Sequence, residues 1–338
     1  MKNHDGDLIS KGEIALIVGV IGIFVVLIIP IPPILLDLLV TVNISVTLLL
    51  LLVTLHAKGP LDLSTFPSIL LFLTLFRLSL NVASTRQILL QGYGGQVIAS
   101  FGEFVVGGNI IVGMVVFLII IVIQFIVITK GATRISEVAA RFTLEAMPGK
   151  QMSIDADLNT GLITEEQAKT RRELISKEAE FHGAMDGASK FVSGDAIAGI
   201  IIVLINIVGG IGMGMRQGMP ATDALQHYTI LTVGDGLVSQ IPSFIIATAS
   251  AVIITKTSSS ESLGKDLSGQ MLSQPNAVAF AGGILAIFSI IPGLPKLPFM
   301  ILAGFFGIMF FLLKRSSKKL AVEEMEQRET KKTAHEPQ

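Results

Sequence analysis

RISEVAARFTLEAMPGKQMSIDADLNTGLITEEQAKTRRELISKEAEFHGAMDGASKFVSGD, residues 134–195, is the one long charge-rich stretch in the interior of the sequence, and it lies between two apolar blocks. Residues 130–195 hold nine Lys/Arg and eleven Asp/Glu among 66 positions, about double the 15% of the whole chain. So charged a segment belongs in water. Its flanks do not: 51% of all residues are hydrophobic and the mean hydropathy is +0.72. Together these values indicate an all-α polytopic membrane protein with a small helical insertion facing water.

Outward from the insertion, four apolar runs precede it (14–29, 34–55, 68–89, 109–128) and four follow (196–215, 236–255, 277–291, 297–313). Eight spans divide the chain into an N-terminal membrane half, 1–129, the insertion, 130–195, a C-terminal membrane half, 196–313, and a charged linker, 314–338, which lacks any apolar run and is expected to be disordered. The first run ends in Pro30-Ile31-Pro32-Pro33 without a small-x-small cleavage site, so it reads as a retained span and not as a signal peptide. VIASFGEFVVGG, 97–108, is too short to span and reads as an interfacial or re-entrant helix that holds Glu103. The last two runs are short for a core of about 30 Å, and burial or flanking residues must make up the length. With the N-terminus inside, the inner segments hold 21 Lys/Arg and the outer ones three, with Arg77 in the membrane, so both termini are expected in the cytoplasm. Tyr93 and Tyr228 then fall in outer links, where an amphipathic ring suits the interface.

Enzyme chemistry finds no support. The chain has no cysteine, no P-loop, no zinc-binding His pair among its five histidines, no Gly-x-Ser-x-Gly elbow and no basic, aromatic-interleaved face, so no cofactor, metal or nucleic acid is expected. Asp155, Asp157, Asn159 and Glu166 have EF-hand ligand spacing, but Thr160 stands where the calcium loop needs Gly, and no preceding helix is expected. The same residues read better as a turn at Asn159 and Gly161 followed by a capping box, Thr164 to Gln167, and a polar helix reaching about Phe181. A mostly polar helix needs a partner, which makes Arg134, Glu137, Arg141 and Glu145 candidates for pairs between subunits.

Six ionisable residues fall at or near membrane depth: Asp37, Arg77, Glu103, Lys190, Asp195 and Asp235. A mid-bilayer charge costs about 2.5–3.5 kcal/mol on insertion scales, so each must be paired, hydrated or at an edge. Arg77, in FLTLFRLSLNVAS with Asn81 one turn on, either neutralises a carboxylate and locks two helices or lines a conduction pathway. Asp195, in SGDAIAGII, reads as the opening of a span, where it caps the helix or binds and releases a proton or cation with Lys190 nearby. Asp235, in TVGDGLVSQIP, sits at the outer mouth of a span on this topology, or is a turn residue.

EVAARFTLEAMPGKQMSIDAD, 137–157, within the longer stretch 134–195, resembles the signature loop of the FHIPEP family of flagellar and type III secretion membrane proteins. Glu145 departs from the Asp usual in that family. The resemblance extends over the membrane region to about Arg315. It implies an export-gate subunit in the bacterial inner membrane that forms a nonameric ring and couples proton or sodium entry to export of unfolded proteins. It also implicates the residues matching Asp195, Lys190 and Arg77 in that coupling, and Asp235 likewise matches a family Asp at the mouth of a span. Partners implied are other export-gate membrane proteins and a soluble export ATPase complex. Chaperones and exported proteins would dock on a large cytosolic domain beyond the linker, not on these residues. The alternative is a free-standing proton- or sodium-coupled small-solute transporter, whose usual pseudo-repeats are not evident between the first and last four runs.

Overall fold

In the computed structural model, residues 11–256, 274–291 and 295–333 are described, and every regular element among them is helical. The chain forms two compact units, Met1–Ser260 and Glu261–Gln338. The first contains α1 (Lys11–Ile28), α2 (Pro33–His56), a short 3₁₀ turn, α3 (Phe66–Gln91), α4 (Gln96–Val106), α5 (Ile110–Val122), a π-helical segment (Ile123–Thr129), α6 (Lys130–Asn159), α7 (Glu165–Arg216) and α8 (Ala221–Thr255). The second contains α9 (Pro275–Ile290) and α10 (Lys296–Thr333). Among the described residues six helices are long and apolar enough to cross a membrane: α2, α3, the continuous rod Ile110–Asn159, α7, α8 and Lys296–Lys314 of α10. The remaining two expected spans are the apolar α1 and α9, of 18 and 16 residues. These are shorter than the about 20 residues that a hydrocarbon core asks for.

The interior helices of the first unit are α3 and α8, each with 56% of its apolar window buried, against 17–28% for α2, α7 and the rod from Ile110. Both are rich in small and hydroxyl residues, which let membrane helices approach closely. The closest approach is between α4 and α8. A Cβ on Gly234 would stand 2.0 Å from the Ile98 carbonyl oxygen, and one on Gly102 would stand 2.2 Å from that of Ile230. On α7, Gly210 and Gly214 leave room for the Tyr228 ring. Tyr228 is therefore buried inside α8 and does not lie in an outer link, whereas Tyr93 is exposed.

Polar side chains fasten the helix ends. Asp37 accepts the backbone N–H of Gln96 at 2.9 Å and of Val97 at 3.0 Å, capping α4 from α2. Gly95, with φ of 99° and no Cβ, allows the carboxylate that close. Arg86 donates to the carbonyls of Leu27 and Ile28, closing the C-terminal end of α1.

The charged insertion is a helical hairpin without a break at either membrane boundary: α6 continues the rod that begins at Ile110, and α7 runs on as one helix of 52 residues. The polar helix thus does not stop near Phe181, and no new helix starts at Asp195. The capping box forms as expected, Gln167 N–H donating to Thr164 Oγ1 at 3.3 Å and Thr164 N–H to Gln167 Oε1 at 3.0 Å. Gly161, at φ of 73°, turns the chain between the helices. Ile154, Ile163 and Ala168 make a small core there. Ion pairs cross it: Arg171 with Asp157 at 3.1 Å, Arg172 with Asp155, and Lys150 with Glu178 at 2.8 Å. Of the would-be calcium ligands, Asp155, Asp157 and Asn159 thus lie in the last turns of α6, a helix the sequence reading did not place there, with the two aspartates paired to arginines, while Glu166 lies in the first turn of α7.

In the second unit α9 and α10 pack together, with the Phe288 and Phe299 rings edge to face at 5.8 Å. The helix continues to Thr333, so 314–333, expected as disordered linker, is helical. Residues 1–10, 257–273 and 334–338 of the expected tails and links lie outside the described residues.

Two stability outcomes follow. Gly234→Ala drives a methyl into backbone and should destabilise by roughly 1–3 kcal/mol, whereas Gly212→Ala, with nothing within 4 Å of the new Cβ, should not. Melting of the two variants followed by circular dichroism separates them. On the hairpin, burial holds the His182 imidazole below its ordinary value of 6.5, with Lys150 adding to the depression and Glu178 opposing it. The unfolded chain then takes up a proton that the folded chain refuses, so stability is complete above pH 6.5 and declines as pH falls below it. Melts at pH 7.5 and about 5.5 should show a smaller acid loss for His182→Gln than for the parent.

Candidate functional site

Three long helices meet around one buried ion pair. Arg77, in the middle of α3, is 2% exposed, Asp195, in the middle of α7, is 5% exposed, and Arg77 Nη2 contacts Asp195 Oδ2. Arg77 is thus compensated, and it joins two helices as one of its two readings held. The cap reading of Asp195 is overturned, because α7 began thirty residues earlier, at Glu165. Its backbone neighbours are already hydrogen-bonded within the helix, so the side chain is free to serve the arginine.

Around the pair, polar side chains stand among apolar ones. Gln124 from the π-helical segment, Asn81 of α3, and Ser239, Gln240 and Ser243 of α8 line a cavity of about 30 Å³ against Arg77 and Asp195. A π-helical turn widens the backbone spiral and often marks a functional position. Here it lies where Gln124 joins the cavity wall. On the other side of Arg77, a cavity of about 10 Å³ is bounded by Asn43, Asn81, Ser84, Ser239 and Asp235. Asp235 is 5% exposed and accepts a hydrogen bond from Asn206 Nδ2 at 3.0 Å. It is the fifteenth residue of α8, neither a turn residue nor at the mouth of a span, because α8 begins at Ala221 and not near 236.

The other candidates lie apart. Lys190 is exposed and pairs with Asp186 at 2.7 Å, a bond that raises its pKa. It precedes Asp195 by five residues on the same helix, about 7.5 Å along the axis. Glu103 is exposed on α4, and Asp37 is occupied as the cap of α4. Arg134 pairs with Glu137 at 3.2 Å and Arg141 with Glu145 at 2.7 Å, each within its own face of α6 and exposed to solvent. Among the described residues no group of three or more His, Cys, Asp or Glu could hold a metal. The residues that sequence reasoning passed over are the neutral ones, Gln124, Ser239, Gln240 and Ser243. Their signal was there: Ser239 and Ser243 stand one turn apart on α8, as Arg77 and Asn81 do on α3.

The FHIPEP family model matches residues 23–338. The chain is 54% identical to the flagellar biosynthesis protein FlhA of Bacillus subtilis over 311 residues, 92% of this chain and 46% of that protein. It is 50% identical to FlhA of Salmonella typhimurium over 299 residues, 86% of this chain and 43% of that one. To the low calcium response locus protein D of Yersinia pestis it is 48% identical over 326 residues, 94% and 46% of the two chains. The chain therefore spans about half the length of these curated relatives. No solved structure matches it.

Removing one partner of a buried pair leaves an uncompensated charge, which costs about 3–5 kcal/mol, while replacing both with apolar residues is often neutral. Arg77→Met and Asp195→Leu should each lower the melting temperature sharply, and the double variant should recover most of the loss. Circular dichroism suits the measurement, since the chain has no tryptophan. Additive losses in the double variant would show that the two side chains do not depend on one another.

Proposed function

The chain belongs to the FHIPEP family, and on that premise we propose that it is the membrane part of a flagellar or type III protein export gate that couples ion entry to export. In this reading several copies form a ring in the bacterial inner membrane, both termini face the cytoplasm, and Arg134, Glu137, Arg141 and Glu145 are available on the exposed face of α6 for a neighbouring copy. Other export-gate membrane proteins and a soluble export ATPase are its partners, and exported proteins with their chaperones engage residues outside this sequence. The names of the relatives support the apparatus, and the uneven Lys/Arg distribution supports the orientation.

The observation that carries the coupling is the arrangement of Arg77, Asp195 and Asp235, a salt-bridged carboxylate and a second carboxylate on either side of one arginine. Intramembrane ionisable residues of this kind are expensive and usually mark an ion path. When a proton reaches Asp195 the carboxylate loses its charge and its hold on Arg77, and when the proton leaves the pair reforms. Protonation at this position therefore changes how firmly α3 holds α7. A proton or a sodium ion fits the same logic, since both discharge the carboxylate.

Asp195→Asn keeps the shape of the side chain and removes its charge and its titration. Placed in the full-length protein, it should abolish secretion of export substrates into the medium, while Asp195→Glu keeps part of it. Because the single variant also leaves Arg77 unpaired, Arg77→Gln/Asp195→Asn serves as the neutral control. That control is expected to insert and fold yet still fail to export. Normal secretion by it would assign the pair a purely structural role.

A further inference from the structure

The α3 and α8 helices face each other with matching polar ladders: Arg77, Asn81 and Ser84 at i, i+4 and i+7 on one, Asp235, Ser239 and Ser243 at i, i+4 and i+8 on the other. Asn81 and Ser239 border both cavities beside Arg77. Buried polar atoms on the two sides lack a protein partner. Towards Asp195 these are Arg77 Nη1, Asp195 Oδ1, Gln240 Oε1 and Ser243 Oγ, and towards Asp235 they are Asn43 Oδ1 and Asn206 Oδ1. Polar groups buried in proteins are satisfied by protein or by ordered water. The space agrees, because about 10–15 Å³ holds one water, so cavities of about 30 and 10 Å³ hold about two and one.

We propose that the two cavities hold water and form one buried hydrated passage joining Asp195 to Asp235, with Asn81 and Ser239 as the positioning residues that carry the water file past the Arg77 guanidinium. The proposal rests on the coupling role given above to the carboxylates and adds the route between them. Arg77 cannot be a link in the chain, because a guanidinium does not give up its proton. The Ser239 hydroxyl donates to the Gly236 carbonyl at 2.9 Å and so offers water its oxygen, passing a proton on only when it turns from that carbonyl, and the Asn81 carboxamide can hold a water with either end. A proton entering at one carboxylate is passed from water to water by hydrogen-bond exchange, and the other carboxylate takes up the proton released at the far end, so no charge is left in the passage. Arg77 borders both cavities, and its positive charge opposes a travelling proton for as long as Asp195 does not neutralise it.

Radiolytic hydroxyl-radical footprinting of the purified protein reads the water directly, because buried side chains are oxidised where they touch trapped water. Leu80 and Val203, which are buried but line the cavities, should be modified at least about fivefold faster than Phe66 and Ile253, which are buried away from them. Equal silence at all four would overturn the passage. In vesicles with an imposed potential and an internal pH dye, Asn81→Leu and Ser239→Val should each lower proton uptake about tenfold, the loss expected when a hydrogen-bonded file is interrupted. If both variants take up protons like the parent while Asp195→Asn does not, the passage is wrong and the role of Asp195 survives. If Asp195→Asn takes up protons like the parent, the coupling role is wrong, and with it the passage as a proton route.

Discussion

The contact between Arg77 and Asp195 sets the terms for the rest of the membrane unit. Two opposite charges in a low-dielectric interior attract strongly, but each has been taken out of water at a cost that a single contact does not offset. The remaining lone pairs and N–H groups must be met, and the chain meets them with neutral polar residues and small cavities in place of more charge. In keeping with this, α3, which carries Arg77, and α8, which lines both cavities beside it, are less apolar and more buried than α2, α7 and the rod from Ile110. By contrast α5, Ile110–Val122, has no polar residue, and it borders the cavity beside the pair only through Ile121.

Burying such helices requires close packing without a hydrophobic drive, since lipid tails are as apolar as leucine. Glycine supplies it at the α4–α8 crossing, where backbones touch at Gly102 and Gly234. The crossing in turn fixes α4, whose N-terminus is held by Asp37. An acidic residue that looks like an ion site in the sequence is thus consumed by helix packing. Arg86 at the end of α1 is spent the same way.

Legibility of the sequence divides along the same physics. The apolar helices and the Thr164 capping box follow from hydropathy and local hydrogen bonding, and they are found where expected. Arg77 stood out because an arginine among leucines has no cheap explanation. Asp195 and Asp235 were misplaced for a common reason: SGD and VGDG are turn or cap signals in water, where glycine and serine loosen a helix. In a membrane the same residues are packing residues, because no unpaired backbone is tolerated there and the helix holds regardless. The π-helical segment left no trace in the sequence, since IQFIVIT is as apolar as a regular span apart from Gln124. The continuity of α7 was equally hidden, because the change from charged to apolar at Asp195 marks where water ends and not where the helix does.

That continuity bears on how the site and the hairpin relate. The α7 helix carries its N-terminal cap at Thr164 and the buried carboxylate at Asp195 with no break between them. Thirty-one residues of helix are about 46 Å of rod, along which a small tilt at one end becomes a large displacement at the other. The neighbouring rod is different: its hydrogen-bond ladder shifts register at Ile123–Thr129, directly beside the cavity that Gln124 lines. The α7 helix, held at Asp195 by the charge of Arg77, packs against that rod where its register shifts. On the coupling role proposed above, the hairpin is therefore where a change at Asp195 would be felt, and its cross-helix pairs at Asp155, Asp157 and Glu178 keep the two arms moving together.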